Sequence, residues 1–246
     1  MPENQPRTCL IVGAGIGLGS GLARAFAAEG LTVCLARRSR NLAELEQLAK
    51  EIGDAGGMAH AFGVDARDED EVTALVNRIE AEIGPLEVVI FNVGGNVRFS
   101  IRDTTARVFR KTWELAAFGG FLTGREAARV MVPRGRGTII FTGATASIRG
   151  SKGFAAFASA KHALRALAQS MARELGPEGV HVAHVVVDGL IDGKFARENF
   201  SDAQDRLDRD EILSPDDIAQ TYVNLWQQPR STWTHELDLR PWTETF

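Results

Sequence analysis

The sequence predicts an α/β protein built on one parallel β-sheet with helices on both faces. Three observations carry that prediction. Short β-branched or apolar runs alternate with longer helical periods almost from end to end. A glycine-rich turn follows the first of these runs directly, and no low-complexity linker divides the 246 residues. Repeated β-α-β units bury their strands on both faces, which is why each strand reads as a continuous apolar run.

Thr8 to Val12 is the first strand, and Gly13 to Gly19 is a glycine loop. Leu22 and Phe26 then recur at helical spacing until Gly30 stops the helix. Leu31 to Ala36 is strand two, and Leu42, Leu45, Leu48 and Ile52 stripe the following helix, which ends near Gly53. Met58 to Val64 is a weaker third strand. Val72, Leu75, Val76, Ile79 and Ile83 form one regular apolar face that Gly84-Pro85 breaks. Leu86 to Phe91 and Thr138 to Thr142 are strands four and five, with a long helical region around Phe109 to Met131 between them. Phe154 to Leu175 is another long helix and His181 to Val187 a sixth strand. Ser214-Pro215-Asp216-Asp217 starts a further helix, with a capping hydroxyl, proline in the first turn and acids at the positive end of the dipole. Leu237 to Leu239 is the candidate for a last strand. The polar, poorly periodic stretch 189–213 is expected to be a mobile flap over a site, and residues 1–7 a flexible tail of a single domain spanning 1–246.

Composition narrows the function. Hydrophobic residues make up 44%, enough for a sizeable core, and Lys plus Arg at 28 against Asp plus Glu at 32 gives −4. That balance offers no basic face for nucleic acid. No apolar run approaches the roughly 20 residues that span a bilayer, and no secretory signal opens the chain, so a cytoplasmic protein is expected. Cys9 and Cys34 sit in apolar runs and read as buried free thiols. Five histidines lack ligand spacing, so no metal site is expected.

Gly13-Ala14-Gly15-Ile16-Gly17-Leu18-Gly19 follows the first strand and opens a helix. Glycines there let the backbone turn tightly and let a pyrophosphate approach, while free N–H groups at the helix start bind its charge; the alternative is a tight turn with no ligand. The end of strand two selects the dinucleotide. An acid would bind a ribose 2′-hydroxyl and repel a 2′-phosphate, but the chain has Arg37-Arg38, followed by Ser39 and Arg40. Two guanidiniums can hold a phosphate bidentately, which favours NADP(H) over NAD(H); the alternative is a solvated basic turn.

Here the sequence resembles the short-chain dehydrogenase/reductase family over nearly its whole length. Gly13, Gly17 and Gly19 match the family's spaced glycines, and Asp65, with Ala66 beside it, matches its adenine-contacting acid. Asn92-Val93-Gly94 stands where the family has Asn-Ala-Gly, and Lys161 matches its active-site lysine. The resemblance implies a Rossmann-type doubly wound sheet of about seven parallel strands, an unidentified small-molecule substrate, and a homodimer or homotetramer assembled through the long helices. It implies a cofactor site that also takes in Gly15, Ile16, Leu18 and Leu190.

The resemblance fails at the chemistry. In the family a tyrosine four residues before the lysine trades the substrate proton, a serine holds the substrate oxygen, and an asparagine steadies a relay water. Those positions here are Phe157, Ala144 and Ala116. The one tyrosine, Tyr222, lies in the last helix and is expected to pack. Losing a positioned acid costs about 10²–10⁴-fold in rate, and losing an oxyanion donor about 10²–10³-fold. Lys161 also hydrogen-bonds the nicotinamide ribose in the family, so it can belong to the cofactor site alone. Thr145, Ser147 and Ser159 lie near the vacated positions but are more simply loop or helix-surface hydroxyls. His162 points about 100° away from its neighbour Lys161. Asp188, in Asp188-Gly189-Leu190-Ile191-Asp192, stands at the carboxyl edge of the sheet, either as an acid near the nicotinamide or as a turn-forming residue. Trp242 and Phe246 are expected to close a pocket or an interface, or to pack. Three readings remain: an NADP(H)-dependent oxidoreductase with a non-standard proton source, with Lys161 or Asp188 as candidates; an inactive NADP(H)-binding sensor or partner subunit; and non-redox chemistry, for which no dedicated motif is present.

Overall fold

The computed structural model describes residues 7–245; residues 1–6 of the expected tail, and Phe246, lie outside the described residues. Seven strands form one all-parallel sheet: β1 (Thr8–Val12), β2 (Thr32–Arg37), β3 (Met58–Gly63), β4 (Leu86–Phe91), β5 (Gly137–Thr142), β6 (Val180–Val187) and β7 (Glu236–Leu239). Their order is β3-β2-β1-β4-β5-β6-β7. The winding reverses between β1 and β4, and ligands of such sheets bind at the carboxyl ends of the strands beside that reversal.

Each strand divides its side chains between two cores because successive residues point to opposite faces. In β1, Cys9 and Ile11 join the core under helices α1 (Leu18–Ala28), α2 (Leu42–Asp54) and α9 (Pro215–Trp226), with Leu22, Phe26, Leu45 and Tyr222 at its centre. Leu10 and Val12 face the core under α3 (Glu69–Glu82), α5 (Gly119–Met131) and α6 (Ala155–Leu175), with Ile79, Phe141 and Leu164. Each such side chain contributes about 1.5–3 kcal/mol on burial. Cys9 and Cys34 are free and buried, and burial pushes the Cys34 thiol up to about 12, so neither is a ready nucleophile at neutral pH. Tyr222 packs as expected, with its hydroxyl 2.9 Å from Thr142 Oγ1.

Local chemistry sets the helix starts. Asp68 accepts the Glu71 N–H at the head of α3, and Ser214 accepts the Asp217 N–H ahead of Pro215. Two regions differ from expectation. The helical region before β5 starts earlier, as α4 (Ala106–Trp113), and reaches α5 through a π-helical turn at Glu114–Phe118. The flap 189–213 contains two short helices, α7 (Lys194–Asn199) and α8 (Ala203–Asp208). Its ends are tied together by the Ile191–Leu213 bridge. Among the described residues no helix is long and apolar enough to cross a membrane.

Candidate cofactor and substrate cleft

The glycine loop fits because its glycines have no side chains. Gly13 has φ +97°, and a Cβ there would sit 2.7 Å from the Asn92 carbonyl oxygen. A Cβ on Gly19 would lie 2.6 Å from the Gly13 carbonyl oxygen. The loop is thereby clamped between α1 and the end of β4, where Asn92 Nδ2 donates to that same Gly13 oxygen at 3.2 Å. Gly17, at φ 101°, starts α1 without a side-chain cap. An uncapped helix start beside backbone that can be closely approached is an anion site.

A cavity of about 300 Å³ continues from this loop past Arg37, Arg38, Asp65 and Ala66. The Arg37 guanidinium lies over Gly15, 3.2 Å from where a Cβ would stand, and pairs with Glu44 at 2.7 Å. Burial, and then the positive charges of Arg40, Arg67 and Arg37, hold the Arg38 pKa down against the pull of Asp65. Cations crowded in this way favour an arriving anion. Asp65 is held by its own neighbour: Arg67 Nε donates to it at 2.9 Å, and the pairing keeps its carboxyl below the usual range.

On the other side of the loop a second cavity, of about 500 Å³, opens at the ends of β4, β5 and β6. Lys161 reaches it from the first turns of α6, where its Nζ donates to the Thr142 carbonyl at 2.8 Å and the Val93 carbonyl at 3.3 Å. Burial pulls its pKa down to about 8. Phe157, one helical turn earlier, is on the same face. Its ring packs with Phe154, Ala144 and Ala146 and lines the same cavity. Phe157 and Ala144 therefore present apolar carbon to this cavity. A larger cavity, of about 710 Å³, lies outside the loop between α1, α2 and α7. Its charges are largely spent in ion pairs such as Arg197–Asp192 at 2.8 Å, and Lys161 and Phe157 are not in its wall.

Comparison with known proteins now bears on this cleft. Residues 7–204 match the family described as short chain dehydrogenase. The chain belongs to that family. A short-chain dehydrogenase/reductase of Armillaria gallica is 32% identical over 182 residues, 73% of this chain and 69% of that one. The crystal structure of a short-chain dehydrogenase from Rhodopseudomonas palustris is 50% identical with a TM-score of 0.82, covering 96% of this chain and 99% of that one. An alcohol dehydrogenase of Thermococcus sibiricus, solved with 5-hydroxy-NADP, shares the fold at a TM-score of 0.86 and 23% identity, covering 98% and 99%.

The structure brings together most of the residues expected for a short-chain dehydrogenase site. Gly13, Gly15, Ile16, Leu18, Gly19, Arg37, Arg38, Asp65, Ala66 and Asn92–Gly94 line the 300 Å³ cavity. Phe157, Ala144 and Lys161 share the 500 Å³ one. Ala116, at the family's asparagine position, is buried in the π-helical turn. Leu190 is not in the lining, although its neighbours Gly189 and Ile191 are; its carbonyl accepts the Leu213 N–H.

Asp188 is not in the lining of the 500 Å³ cavity, although Thr145, which donates to it, is. It is buried, accepts a hydrogen bond from the Thr145 hydroxyl and faces Arg240 at 4.0 Å. Of Thr145, Ser147 and Ser159, Thr145 alone lines the cavity. Ser147 is spent on the Ala144 N–H and Ser159 on the Ala155 carbonyl. His162 lies on the outer face of α6 against the Ala158 carbonyl. Trp242 is exposed and donates to the Arg209 carbonyl, so it covers the α8–α9 corner rather than the cavity.

Two residues, one behind the cavity and one lining it, were not singled out from the sequence. His184 lies beneath Gly143, where a Cβ would stand 2.4 Å from its Nε2. It pairs through Nδ1 with Glu236, which Arg165 grips with two hydrogen bonds. His184 and His181 are both buried polar residues of β6, and that interruption of the apolar run was the available signal. Arg149 also lines the 500 Å³ cavity, at its mouth, and only its place after strand five hinted at that.

Proposed function

We propose that this short-chain dehydrogenase binds NADP(H), and that its active site lacks the family's tyrosine–serine proton transfer, leaving carbonyl reduction impaired or dependent on a non-standard proton source. The observation that carries this reading is Phe157 beside Ala144 on the wall of the cavity that holds Lys161. A phenyl ring has no proton to give to a developing alkoxide, and a methyl group cannot donate a hydrogen bond to one.

The residues present fit the dinucleotide. Gly13 and Gly19 leave no room for a Cβ, so the loop presents bare backbone to a pyrophosphate. Arg38, in its positive surroundings, suits a 2′-phosphate, with Arg37 secured to Glu44 beside it. The alcohol dehydrogenase of Thermococcus sibiricus carries an NADP derivative on the same fold. Bound nicotinamide supplies or accepts a hydride. Lys161, anchored on two carbonyls, brings a cation to the cavity and would hold the sugar of a bound cofactor. Phe109, Trp113 and Phe121 are partly exposed along α4 and α5, which supports a homodimer or homotetramer through these helices.

Titration with NADPH and NADH, followed by NADPH oxidation assays across aldehydes and ketones, tests the proposal. NADPH is expected to bind more tightly than NADH and to be consumed slowly or not at all. Rapid turnover of a simple carbonyl by the unaltered protein would overturn the impaired-site reading. Binding without any hydride transfer would favour the sensor or partner-subunit role.

A further inference from the structure

The 500 Å³ cavity has two unlike walls. Leu18, Asn92–Gly94, Lys161 and the turn after β6 form the wall that the reading above gives to the cofactor. The outer wall is made of Asn96, Ala146, Arg149, Ser151, Phe154 and Phe157. No aspartate or glutamate lines either wall, and the two charged lining side chains, Arg149 and Lys161, are both cations. The only hydrogen-bond partners of the Lys161 ammonium among the described residues are the two carbonyl oxygens, so no carboxylate cancels its charge. A third cation stands behind the rim: the Arg98 side chain packs against Gly153, with its guanidinium 5.8 Å from the Phe154 ring centre. This local excess of positive charge belongs to a chain whose net charge is −4. Elsewhere its arginines are commonly paired, as Arg125 is with Glu69 and Glu126, and Arg165 with Glu236.

We propose that the outer wall binds a small organic carboxylate with an apolar body, its anionic end on Arg149 and its body against Phe154 and Phe157. A guanidinium is suited to the two oxygens of a carboxylate, and Asn96 and Ser151 bring neutral donors to the same cavity. The two aromatic rings offer the apolar surface that buries most of a small ligand. A neutral analogue of equal shape keeps the ring contacts and loses the ionic one. This proposal rests on the cofactor reading for its division of the cavity, and on Arg149, Phe154 and Phe157 for the acid site itself.

The test is calorimetric titration of the intact protein, with and without saturating NADPH, using benzoate, 3-phenylpropionate and 4-phenylbutyrate, each beside its primary amide. At least one acid is expected to bind more tightly than its amide by on the order of tenfold. Arg149→Gln should erase that preference, Arg149→Lys should retain part of it, and NADPH affinity should stay unchanged in both. Amides that match their acids, no acid binding at millimolar concentration, or a preference that survives Arg149→Gln would overturn the proposal. Tighter binding of phenyl phosphate than of any acid would overturn the choice of carboxylate. If NADPH fails to bind while the acids still bind through Arg149, the cofactor reading falls and the acid site stands.

Discussion

Replacing Lys161 with methionine is expected to stabilise the fold at neutral pH. The side chain is 3% exposed, and burial moves its pKa from 10.5 to about 8. Since 10.5 − 8 = 2.5, at 1.36 kcal/mol per pH unit the charged form is disfavoured by about 3 kcal/mol. The unfolded chain holds that proton up to pH 10.5 and the folded chain only to about 8. This group therefore lowers stability fully below pH 8, and the loss is recovered as pH rises toward 10.5. Methionine fills a similar volume without charge, but the Thr142 and Val93 carbonyls each lose a donor, costing about 1 kcal/mol apiece. The net expectation is a gain of about 1 kcal/mol near pH 7, turning into a loss of about 2 kcal/mol by pH 10.5. Urea unfolding of both proteins across that range measures it. The difference between them isolates Lys161, because Cys9, Cys34 and Tyr222, all pushed up by burial, titrate in both. A variant less stable at pH 7, with an unaltered pH dependence, would refute the reasoning.

Gly13→Ala forces a Cβ to within 2.7 Å of the Asn92 carbonyl at a positive φ. It should cost about 1–3 kcal/mol in unfolding assays and weaken NADPH binding. Arg38→Glu places an acid where the 2′-phosphate is expected, so the NADPH-to-NADH affinity ratio should fall on the order of 10²-fold in fluorescence titrations. Burial holds His184 down to about 4 despite its bond to Glu236. It takes up its proton near pH 6.5 when unfolded and only near 4 when folded, so the stability it contributes is complete above pH 6.5 and drains away as pH falls toward 4. Thermal unfolding over that interval should fall more steeply for the unaltered protein than for His184→Gln.

The sequence was most informative where one physical requirement dominates a short segment. Gly13 to Gly19 could be read because a positive φ and a backbone approach under 3 Å leave glycine as the fitting residue. The strands could be read because burial on both faces demands unbroken apolar runs. Phe157 was legible because Lys161, four residues later on α6, fixes its register, whereas Ala144 was read from the resemblance alone. The π-helical turn at Glu114–Phe118 was not, since a shift in backbone hydrogen bonding leaves no mark in apolar spacing. Helices α7 and α8, with 6 residues each, are too short for periodicity to reveal. Asp188 could not be decided between an acid near the nicotinamide and a turn residue, because its partners Thr145 and Arg240 come from other parts of the chain. Arg149 escaped notice because an exposed arginine in a turn looks the same whether it meets solvent or the mouth of a cavity.

The most direct measurement is the rate of NADPH oxidation by the Phe157→Tyr, Ala144→Ser double variant beside the unaltered protein, on the same carbonyl panel and with NADPH binding verified in both. Both positions line the cavity that Lys161 also lines, so the new hydroxyls would border the same space as the ammonium. The double variant should turn over some carbonyl at least about 10²-fold faster than the parent. Equal rates in two proteins that bind NADPH equally well would contradict the assignment of Phe157 and Ala144 to the vacated proton-handling positions.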